Sequence, residues 1–402
     1  ALKLNTTGTQ NVAVGANALD ANTTGYDNTS VGYNSLTTNT TGIDNSAFGK
    51  DALLANTTGG KNVAIGKDAL TANTTGEKNV AVGGAALEAN TTADKNTAIG
   101  HTALNGNTTG YDNTAVGASA MAVNTTGYYN TAVGAYALDA NTTGDNNTAL
   151  GVGALGVNTT ADNNTAVGSM TLFANTTGTQ NVAVGHGALN ANTTGGANTA
   201  GGYQSLVYCT TGNDNTGFGR QALRDVTTGD KNTALGVAGQ ALTTGNNNLL
   251  LGYNAGSSAS PSGNLTSNSD VICLGDNNIS SIHCADTSIS SSDSRDKTDV
   301  ADFTHGLNWV NQLKPITYRW DKRTWYDDLT PDGSKKRNKK HIGFLAQDVL
   351  AIEGNPTDKD DMLVVNLNED DTAYGLKYER LVPVLVNAIK ELSTKVTALE
   401  AG

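Results

Sequence analysis

The segment Asn5–Ala21 reads Asn-Thr-Thr-Gly-Thr-Gln-Asn-Val-Ala-Val-Gly-Ala-Asn-Ala-Leu-Asp-Ala, and its pattern recurs through most of the chain. The Asn-Thr-Thr triplet returns every 17 residues without a slip from Asn5 to Asn192. Three weaker units follow, opening at Cys209, Val226 and near Leu242. A fixed period of this kind indicates a repeat architecture in which each unit stacks on its neighbours.

Each unit has the chemistry of a short strand between turns. The tract Asn11–Gly15 alternates with period two, and glycine and asparagine supply the positive φ angles that a coiling chain needs. Val14 and its equivalents stay apolar and Ala13 and its equivalents stay small, so we expect the Val14 column to fill a narrow core. Leu19 recurs as an apolar anchor, and no proline precedes Pro261 to interrupt a hydrogen-bond ladder.

These features predict a mainly β fold with a repetitive β-solenoid or β-roll shaft. About fifteen coils at the strand spacing of about 4.8 Å give a shaft roughly 70 Å long. We expect the asparagine and threonine side chains of the triplets to form stacked ladders, although each triplet is also a formal N-glycosylation acceptor. Aspartate recurs at one position of the repeat, as in Asp27 and Asp44, but other residue types occupy this position in other coils. No cluster of oxygen ligands around one ion is apparent, so neither a metal nor a cofactor is expected.

The composition of the 402-residue chain excludes several classes of protein. Its net charge is −12 and the cations before Ser292 are scattered, which argues against nucleic-acid binding because phosphate contacts need clustered Lys and Arg. No stretch is apolar enough for membrane insertion. The three cysteines, Cys209, Cys273 and Cys284, indicate buried thiols rather than a disulfide framework.

The composition changes after residue 256, and this change predicts three segments. Residues 1–256 form the repeat shaft, and residues 257–291 form a transition of loop followed by a slender strand. Residues 292–402 form a small α+β domain that holds all three tryptophans and most of the Lys and Arg. The sequence begins at Ala1 without an initiator Met, so we expect a fragment or a processed chain that lacks any N-terminal anchoring domain.

The repeat units resemble the head repeats of trimeric autotransporter adhesins, and they are also similar to repeats in bacteriophage tail fibres. The resemblance rests on the Asn-x-Ala-Val-Gly-x-x-Ala pattern and covers about residues 1–255. It implies a trimeric β-roll and says little about a ligand.

The C-terminal motifs resemble the endosialidase-type intramolecular chaperone, a self-cleaving serine peptidase. Ser292–Lys297 matches the family's S-D-x-R-x-K signature, Leu313–Trp320 its L-x-P-x-x-Y-x-W-like strand and His341–Val349 its H-x-G-F-x-A-Q-[DE]-V segment. Tyr378–Leu399 fits the family's closing helix. The resemblance implies catalysis by Ser292 and Lys297, with Asp293, Arg295, His341 and Gln347 as supporting motif residues.

A serine hydroxyl becomes nucleophilic when a base accepts its proton, and a lysine of lowered pKa can be that base. Attack by Ser292 on the carbonyl carbon of Ser291 passes through a five-membered ring, which favours cleavage of the Ser291–Ser292 bond. Cleavage of Ser292–Asp293 is the less favoured alternative. It requires attack by Ser292 on its own carbonyl carbon, which passes through a strained four-membered ring. A purely structural role, with Ser292 and Asp293 capping a helix and Lys297 solvated, is the other interpretation.

The last segment of the chain has the apolar spacing of a short coiled-coil helix. The stripe comprises Leu381, Leu385, Ala388, Ile389, Leu392, Val396 and Leu399. Pro383 lies in the first turns, so the regular helix should begin near it. A narrow stripe favours an oligomer seam. The resemblance implies a homotrimer, whereas the heptads alone do not set the number of chains.

Together the patterns predict an extracellular virion tail fibre for host attachment, with a host cell-surface receptor or glycan as its partner. Its C-terminal domain would drive trimeric folding and cut its own chain once. A polysaccharide-degrading tailspike is the first alternative, and such an enzyme would need paired carboxylates in a cleft. A bacterial cell-surface adhesin is the second.

Overall fold

The computed structural model describes residues 1–279, 300–323, 326, 329–367 and 374–401. The chain divides into two compact units, Ala1–Asn278 and Ile279–Gly402. None of the helices in the described ranges is long and apolar enough to cross a lipid bilayer.

The first unit is one sixteen-stranded parallel sheet whose strands follow in chain order. Each strand has three residues and pairs with the next strand one coil later. The strands are β1 Val12–Val14, β2 Thr29–Val31, β3 Ser46–Phe48, β4 Val63–Ile65, β5 Val80–Val82, β6 Thr97–Ile99, β7 Thr114–Val116, β8 Thr131–Val133, β9 Thr148–Leu150, β10 Thr165–Val167, β11 Val182–Val184, β12 Thr199–Gly201, β13 Thr216–Phe218, β14 Thr233–Leu235, β15 Leu249–Leu251 and β16 Ile272–Leu274. The predicted β-solenoid of 17-residue coils is confirmed.

The end of the sheet departs from the 17-residue period without breaking the ladder. Thr233 pairs with Leu249, so this coil is one residue shorter than the others. Leu249 then pairs with Ile272, and the longer connection adds β16 to the same sheet. Strand β16 lies within residues 257–291, where the sequence predicts a loop followed by a strand.

The prediction that the Val14 column fills the core is wrong. Val14, Val31 and Phe48 do align in one column, but the column faces outward, and Val14 is 57% exposed and Phe48 40%. The alanines between them point inward, and Ala47 and Ala64 are fully buried. The inward position is thus held by small side chains through most of the shaft, and β15 is an exception with the fully buried Leu250.

The core is instead filled by the Leu19 column, which is fully buried. These residues have φ between 49° and 54°, a region that bulky side chains rarely adopt: Leu19, Leu36, Leu53, Leu70, Leu87, Leu104, Met121, Leu138, Leu155, Leu172, Leu189, Leu206 and Leu223. The left-handed conformation costs about 1–2 kcal/mol per residue. Burying a leucine side chain contributes about 1.5–3 kcal/mol, so the exchange is close to balanced in each coil.

Buried asparagine ladders satisfy the polar groups inside the coils, as predicted. The Asn22 amide nitrogen donates to Asn5 Oδ1 at 2.8 Å and to the Gly25 carbonyl oxygen at 3.0 Å, and the pattern repeats in the following coils. Both hydrogens of this buried amide are therefore engaged. Asn22 and its fully buried equivalents cannot act as glycosylation acceptors in the folded shaft.

The second unit is a small α+β domain. Its elements are α1 Leu307–Val310, β17 Ile316–Tyr318, β18 His341–Gly343, α2 Ala346–Ile352, a 3-10 turn Lys359–Asp361, β19 Val365–Leu367, β20 Tyr374–Leu376, a 3-10 turn Tyr378–Arg380 and α3 Leu381–Glu400. Strands β17 and β18 pair antiparallel, as do β19 and β20. The core comprises Trp309, Val349, Met362, Val364, Val365, Leu381 and Val384. Helix α3 begins two residues before Pro383, close to the predicted position.

Candidate functional site

The predicted nucleophile and base lie outside the described residues. Ser291, Ser292, Asp293, Arg295 and Lys297 all fall between residues 280 and 299. The pairing of Ser292 with Lys297 and the position of the cut therefore stay predictions. The other motif residues are described, and they occupy the α+β unit.

Strands β17 and β18 bring two of the sequence motifs together. Tyr318 lies opposite His341 in the antiparallel register, and their rings stack with centroids 5.5 Å apart. Trp320 packs edge-on against Tyr318 at 5.2 Å and against His341 at 6.4 Å. His341 is thus half-buried in an aromatic cluster, which holds its imidazole in place.

A lysine that the sequence motifs did not single out borders this cluster. The Lys322 ammonium lies 5.1 Å from the centroid of the Trp320 ring, as in a cation–π contact. Burial lowers the pKa of Lys322, and the nearby Arg337 guanidinium adds to the shift. Desolvation and a neighbouring cation both lower the pKa of a lysine and so raise the fraction of neutral amine that can accept a proton. Lys322 has no recognisable sequence signal, since it only follows the Trp320 motif.

Tyr378 connects the closing segment to the His341 motif. Its hydroxyl oxygen accepts a hydrogen bond from the Phe344 amide at 3.1 Å. A side chain at Gly343 would collide with this hydroxyl, so the glycine of the motif is needed for the close approach. Burial raises the pKa of Tyr318, and the neighbouring Tyr378 contributes. The sequence pointed to Tyr378 only as the start of the closing helix.

Gln347 lies on an exposed side of α2, and Val349 of the same helix is buried in the core. Just after α2, the Glu353 carboxylate accepts hydrogen bonds from the backbone amides of Leu363, Val364 and Val365 at 3.2, 2.7 and 3.1 Å. Glu353 therefore anchors the start of β19 to the end of α2. No sequence motif identified this carboxylate.

Helix α3 is bound to the segment around α1 by two polar side chains. Asn387 Nδ2 donates to the Phe303 carbonyl oxygen at 2.6 Å and to that of His305 at 3.3 Å. Glu391 Oε2 accepts from the Leu307 amide at 3.1 Å, at the start of α1. Leu381, Val384 and Ala388 are buried on the same side of α3.

The other side of α3 is an exposed apolar stripe, which we call the α3 seam. It comprises Val382, Leu385, Ile389, Leu392, Val396 and Leu399. The spacing alternates between three and four residues, which is that of a heptad repeat. Of the stripe expected from the sequence, Leu381 and Ala388 belong to the domain core, and the remaining five residues belong to the seam.

Comparison with known proteins identifies the C-terminal region. Residues 292–357 match the model of the family described as chaperone of endosialidase. The chain therefore carries a chaperone domain of this type after a β-solenoid shaft. Helix α3 lies beyond the matched residues. No curated protein and no solved structure gives a significant match.

Proposed function

We propose that the protein is a trimeric host-attachment fibre of a virion whose C-terminal domain aligns three chains and then cuts itself off. The observation that carries the proposal is the family match, which begins at Ser292, directly after the repeat shaft and its transition. The fibre acts outside the cell and binds a host cell-surface receptor or glycan. Virion attachment proteins would be its further partners.

The cleavage that we propose uses Ser292 and Lys297. Lys297 accepts the proton of the Ser292 hydroxyl, and the oxygen attacks the carbonyl carbon of Ser291. The peptide C–N bond breaks, the Ser292 nitrogen leaves as an amine, and an ester joins Ser291 to the Ser292 oxygen. Water then hydrolyses the ester, which leaves the shaft with a C-terminal Ser291 carboxylate.

The α3 seam supports self-association of the C-terminal domain. Leucines and valines that the domain itself leaves exposed would be buried between helices, as apolar heptad positions are in coiled coils. Val382, Ile389 and Val396 occupy one heptad position, and Leu385, Leu392 and Leu399 the other. β-Branched residues at one heptad position and leucine at the other also suit two-stranded coiled coils. The proposal of three chains therefore rests on the family resemblance.

The outward Val14 column supports association of the shafts. Val14, Val31, Phe48, Ile65 and Val82 are the first of an aligned apolar series along the sheet. Exposed apolar patches of such length mark interaction surfaces in soluble proteins. Second and third copies of the chain, which carry the same column in the same register, would cover it.

The test of the proposed cleavage is a denaturing gel of freshly expressed full-length chain. Wild type should release a fragment whose N-terminal residue is Ser292, whereas Ser292→Ala and Lys297→Ala should remain uncut and still assemble. Ser294→Ala is the matched control and should be cut like wild type. N-terminal sequencing of the fragment separates cleavage at Ser291–Ser292 from cleavage at Ser292–Asp293.

Two results would contradict this assignment. Release of the same fragment from Ser292→Ala would exclude Ser292 as the nucleophile. An uncut wild type that still assembles would show that the domain acts as a chaperone without a peptidase step.

A further inference from the structure

We propose that the shaft carries a binding groove for a neutral saccharide beside Tyr111 and Tyr129, and this inference rests on the attachment function proposed above. The groove encloses about 310 Å³ and is lined by Thr92, Asp94, Lys95, Tyr111, Asp112 and Tyr129, among others. This volume is at the lower end of the range of about 300–1,000 Å³ typical of small-ligand sites.

Tyr111 and Tyr129 form the aromatic wall of the groove, and Tyr128 packs behind them. The rings of Tyr111 and Tyr128 stack one coil apart, with centroids 5.0 Å apart and planes 1° from parallel. Tyr129 stands edge-on to both, at 5.5 Å from Tyr111 and 5.3 Å from Tyr128. Tyr111 and Tyr129 are exposed, so their rings are accessible to a ligand. Tyrosine combines a flat apolar face with a polar hydroxyl, which suits the C–H faces and hydroxyl groups of a sugar ring.

The gap beside Tyr111 has a structural cause. The position of Tyr111 is occupied by Asp94 one coil earlier, and Asp94 Oδ1 leans back to accept the Glu77 amide at 2.7 Å. Asp145, one coil after Tyr128, likewise accepts the Tyr128 amide at 2.9 Å. Asp94 Oδ1 is therefore engaged by the preceding coil, and the described ring contacts of Tyr111 are with Tyr128 and Tyr129, so no ring stacks on Tyr111 from the Asp94 side. The opposite face is taken by Tyr128.

The same arrangement provides polar partners for hydroxyl groups. The backbone amides of Glu77 and Tyr128 each donate to an aspartate carboxylate of the following coil. The coil that follows Asp94 has Tyr111 at this position, so the Asp94 amide lacks such an acceptor. The Asp94 N–H is thus a donor at the groove, and the carboxylates of Asp94 and Asp112 are acceptors. A site with an aromatic wall, a donor and acceptors matches the alternating C–H and O–H surface of a saccharide.

The charges of the groove favour a neutral ligand. Lys95 Nζ lies 3.9 Å from Asp112 Oδ2, so the cation of the groove is already next to a carboxylate. Asp94 adds a further negative charge. An acidic sugar would be repelled by these carboxylates, whereas neutral hydroxyl groups can donate hydrogen bonds to them. In a trimer the groove would occur three times, which raises the avidity for a glycan-coated surface.

The chain itself supplies suitable variants. The position of Tyr111 is filled by Thr179 in another coil, and that of Tyr129 by Ala197, so Tyr111→Thr with Tyr129→Ala reproduces residues that the fold already accepts. Tyr26 occupies the same column as Tyr111 but belongs to a coil outside the groove, and Tyr26→Thr is the matched control.

The experiment measures binding of the full-length chain to an array of neutral oligosaccharides of hexoses and N-acetylhexosamines and to acidic ones containing uronic or sialic acid. Wild type and Tyr26→Thr should bind a neutral glycan and discriminate against the acidic set. The double variant should lose at least tenfold in affinity. Absence of neutral-glycan binding, preference for acidic glycans, or wild-type binding by the double variant would each overturn the proposal.

A second readout separates the groove from attachment itself. Adhesion is measured to cells that display the glycan identified on the array. Unchanged adhesion of the double variant would overturn the groove assignment and leave the attachment function standing. Failure of the wild type to adhere would contradict the attachment function, while the array still decides whether the groove binds a saccharide.

Discussion

Buried asparagines make the hydrogen bonds that join one coil of the shaft to the next. Asn96 is fully buried, and its backbone amide donates to Asn79 Oδ1 at 2.9 Å. Its side-chain amide donates to the Gly110 carbonyl oxygen at 2.8 Å, and its Oδ1 accepts from the Asn113 amide at 3.0 Å. One side chain thus satisfies two buried backbone groups, because an amide is both a donor and an acceptor.

Asn96→Ala should destabilise the shaft by at least about 2 kcal/mol. The Gly110 carbonyl and the Asn113 amide would both lose their partner, and each unsatisfied buried group costs about 1–3 kcal/mol. The measurement is the denaturant concentration at the unfolding midpoint of the full-length chain. Midpoints are compared between variants whose free energy of unfolding depends equally steeply on denaturant concentration. Thr97→Val is the control, since Val63 and Val80 occupy that strand position natively. A midpoint for Asn96→Ala equal to that of the control would disprove the role of the ladder.

The other asparagine ladder shows what happens where the sequence changes. It runs upward through Asn175 and Asn192, and Cys209 takes the next place. Among the described residues, Asn192 Oδ1 is the one buried side-chain polar atom without a hydrogen-bond partner. Burial also raises the pKa of the Cys209 thiol to about 12, so the thiol stays protonated and unreactive at neutral pH. The ladder that includes Asn96 ends differently, because Asn248 Oδ1 accepts from the Val271 amide at 3.0 Å.

At the scale of single elements, helix α3 has one apolar face inside the domain and a second that is exposed. Leu381, Val384 and Ala388 pack inside the domain, whereas the α3 seam is exposed. The two faces can therefore be altered separately, which distinguishes the folding of the domain from its assembly.

Ile389→Asp should abolish trimer formation and leave the domain folded. Ile389 is 66% exposed within one chain, so its replacement removes no contact of the domain core, but it would place three carboxylates together in the seam. The measurement is the mass by light scattering in a Ser292→Ala background, which keeps the chain in one piece. The Ser292→Ala parent should give three times the 41.1 kDa chain mass.

Thr394→Asp is the control for this change, because Thr394 is an exposed residue of α3 outside the seam. It should remain trimeric. A trimeric Ile389→Asp variant would show that the seam does not hold the chains together, and a dimeric wild type would contradict the trimer.

The elements also show what a period-two pattern can and cannot predict. The alternation around Val12 and Val14 correctly indicated a strand, but alternation is identical for the two faces of a sheet. The Val14 column was therefore assigned to the core, although that inward position is held in most coils by the small Ala47 and its equivalents. The left-handed φ of Leu19 was equally hidden, since leucine has no preference for that region.

The sequence did indicate the chaperone motifs, but it could not place Tyr378 and Lys322, whose roles depend on contacts between distant segments.

At the scale of the whole molecule, the shaft is a stack of nearly interchangeable coils. Each coil contacts its neighbours through the same backbone ladder, the same leucine column and the same asparagines. Stability in such an array is close to a sum over coils and interfaces. The same regularity makes pairings displaced by one coil nearly equal in energy, so chains of the proposed trimer would need a common starting point. A C-terminal domain that associates first would provide one, because it makes the later pairing local.

Deletion of residues 22–89, which removes four whole coils, should leave a folded and shorter fibre. Ala21 would then precede Asn90, which begins its coil with the same Asn-Thr-Thr triplet as Asn22, so ladders and columns continue across the junction. The shaft should shorten by about 19 Å at about 4.8 Å per coil. Fibre length is measured by electron microscopy, and self-cleavage at Ser292 should be unchanged.

The control deletes residues 22–81 and joins Ala21 directly to Val82 inside β5, which removes the turn before the strand and should lower the unfolding midpoint. An aggregated product from the four-coil deletion, or equal stability of the two deletions, would show that the coils are not independent units.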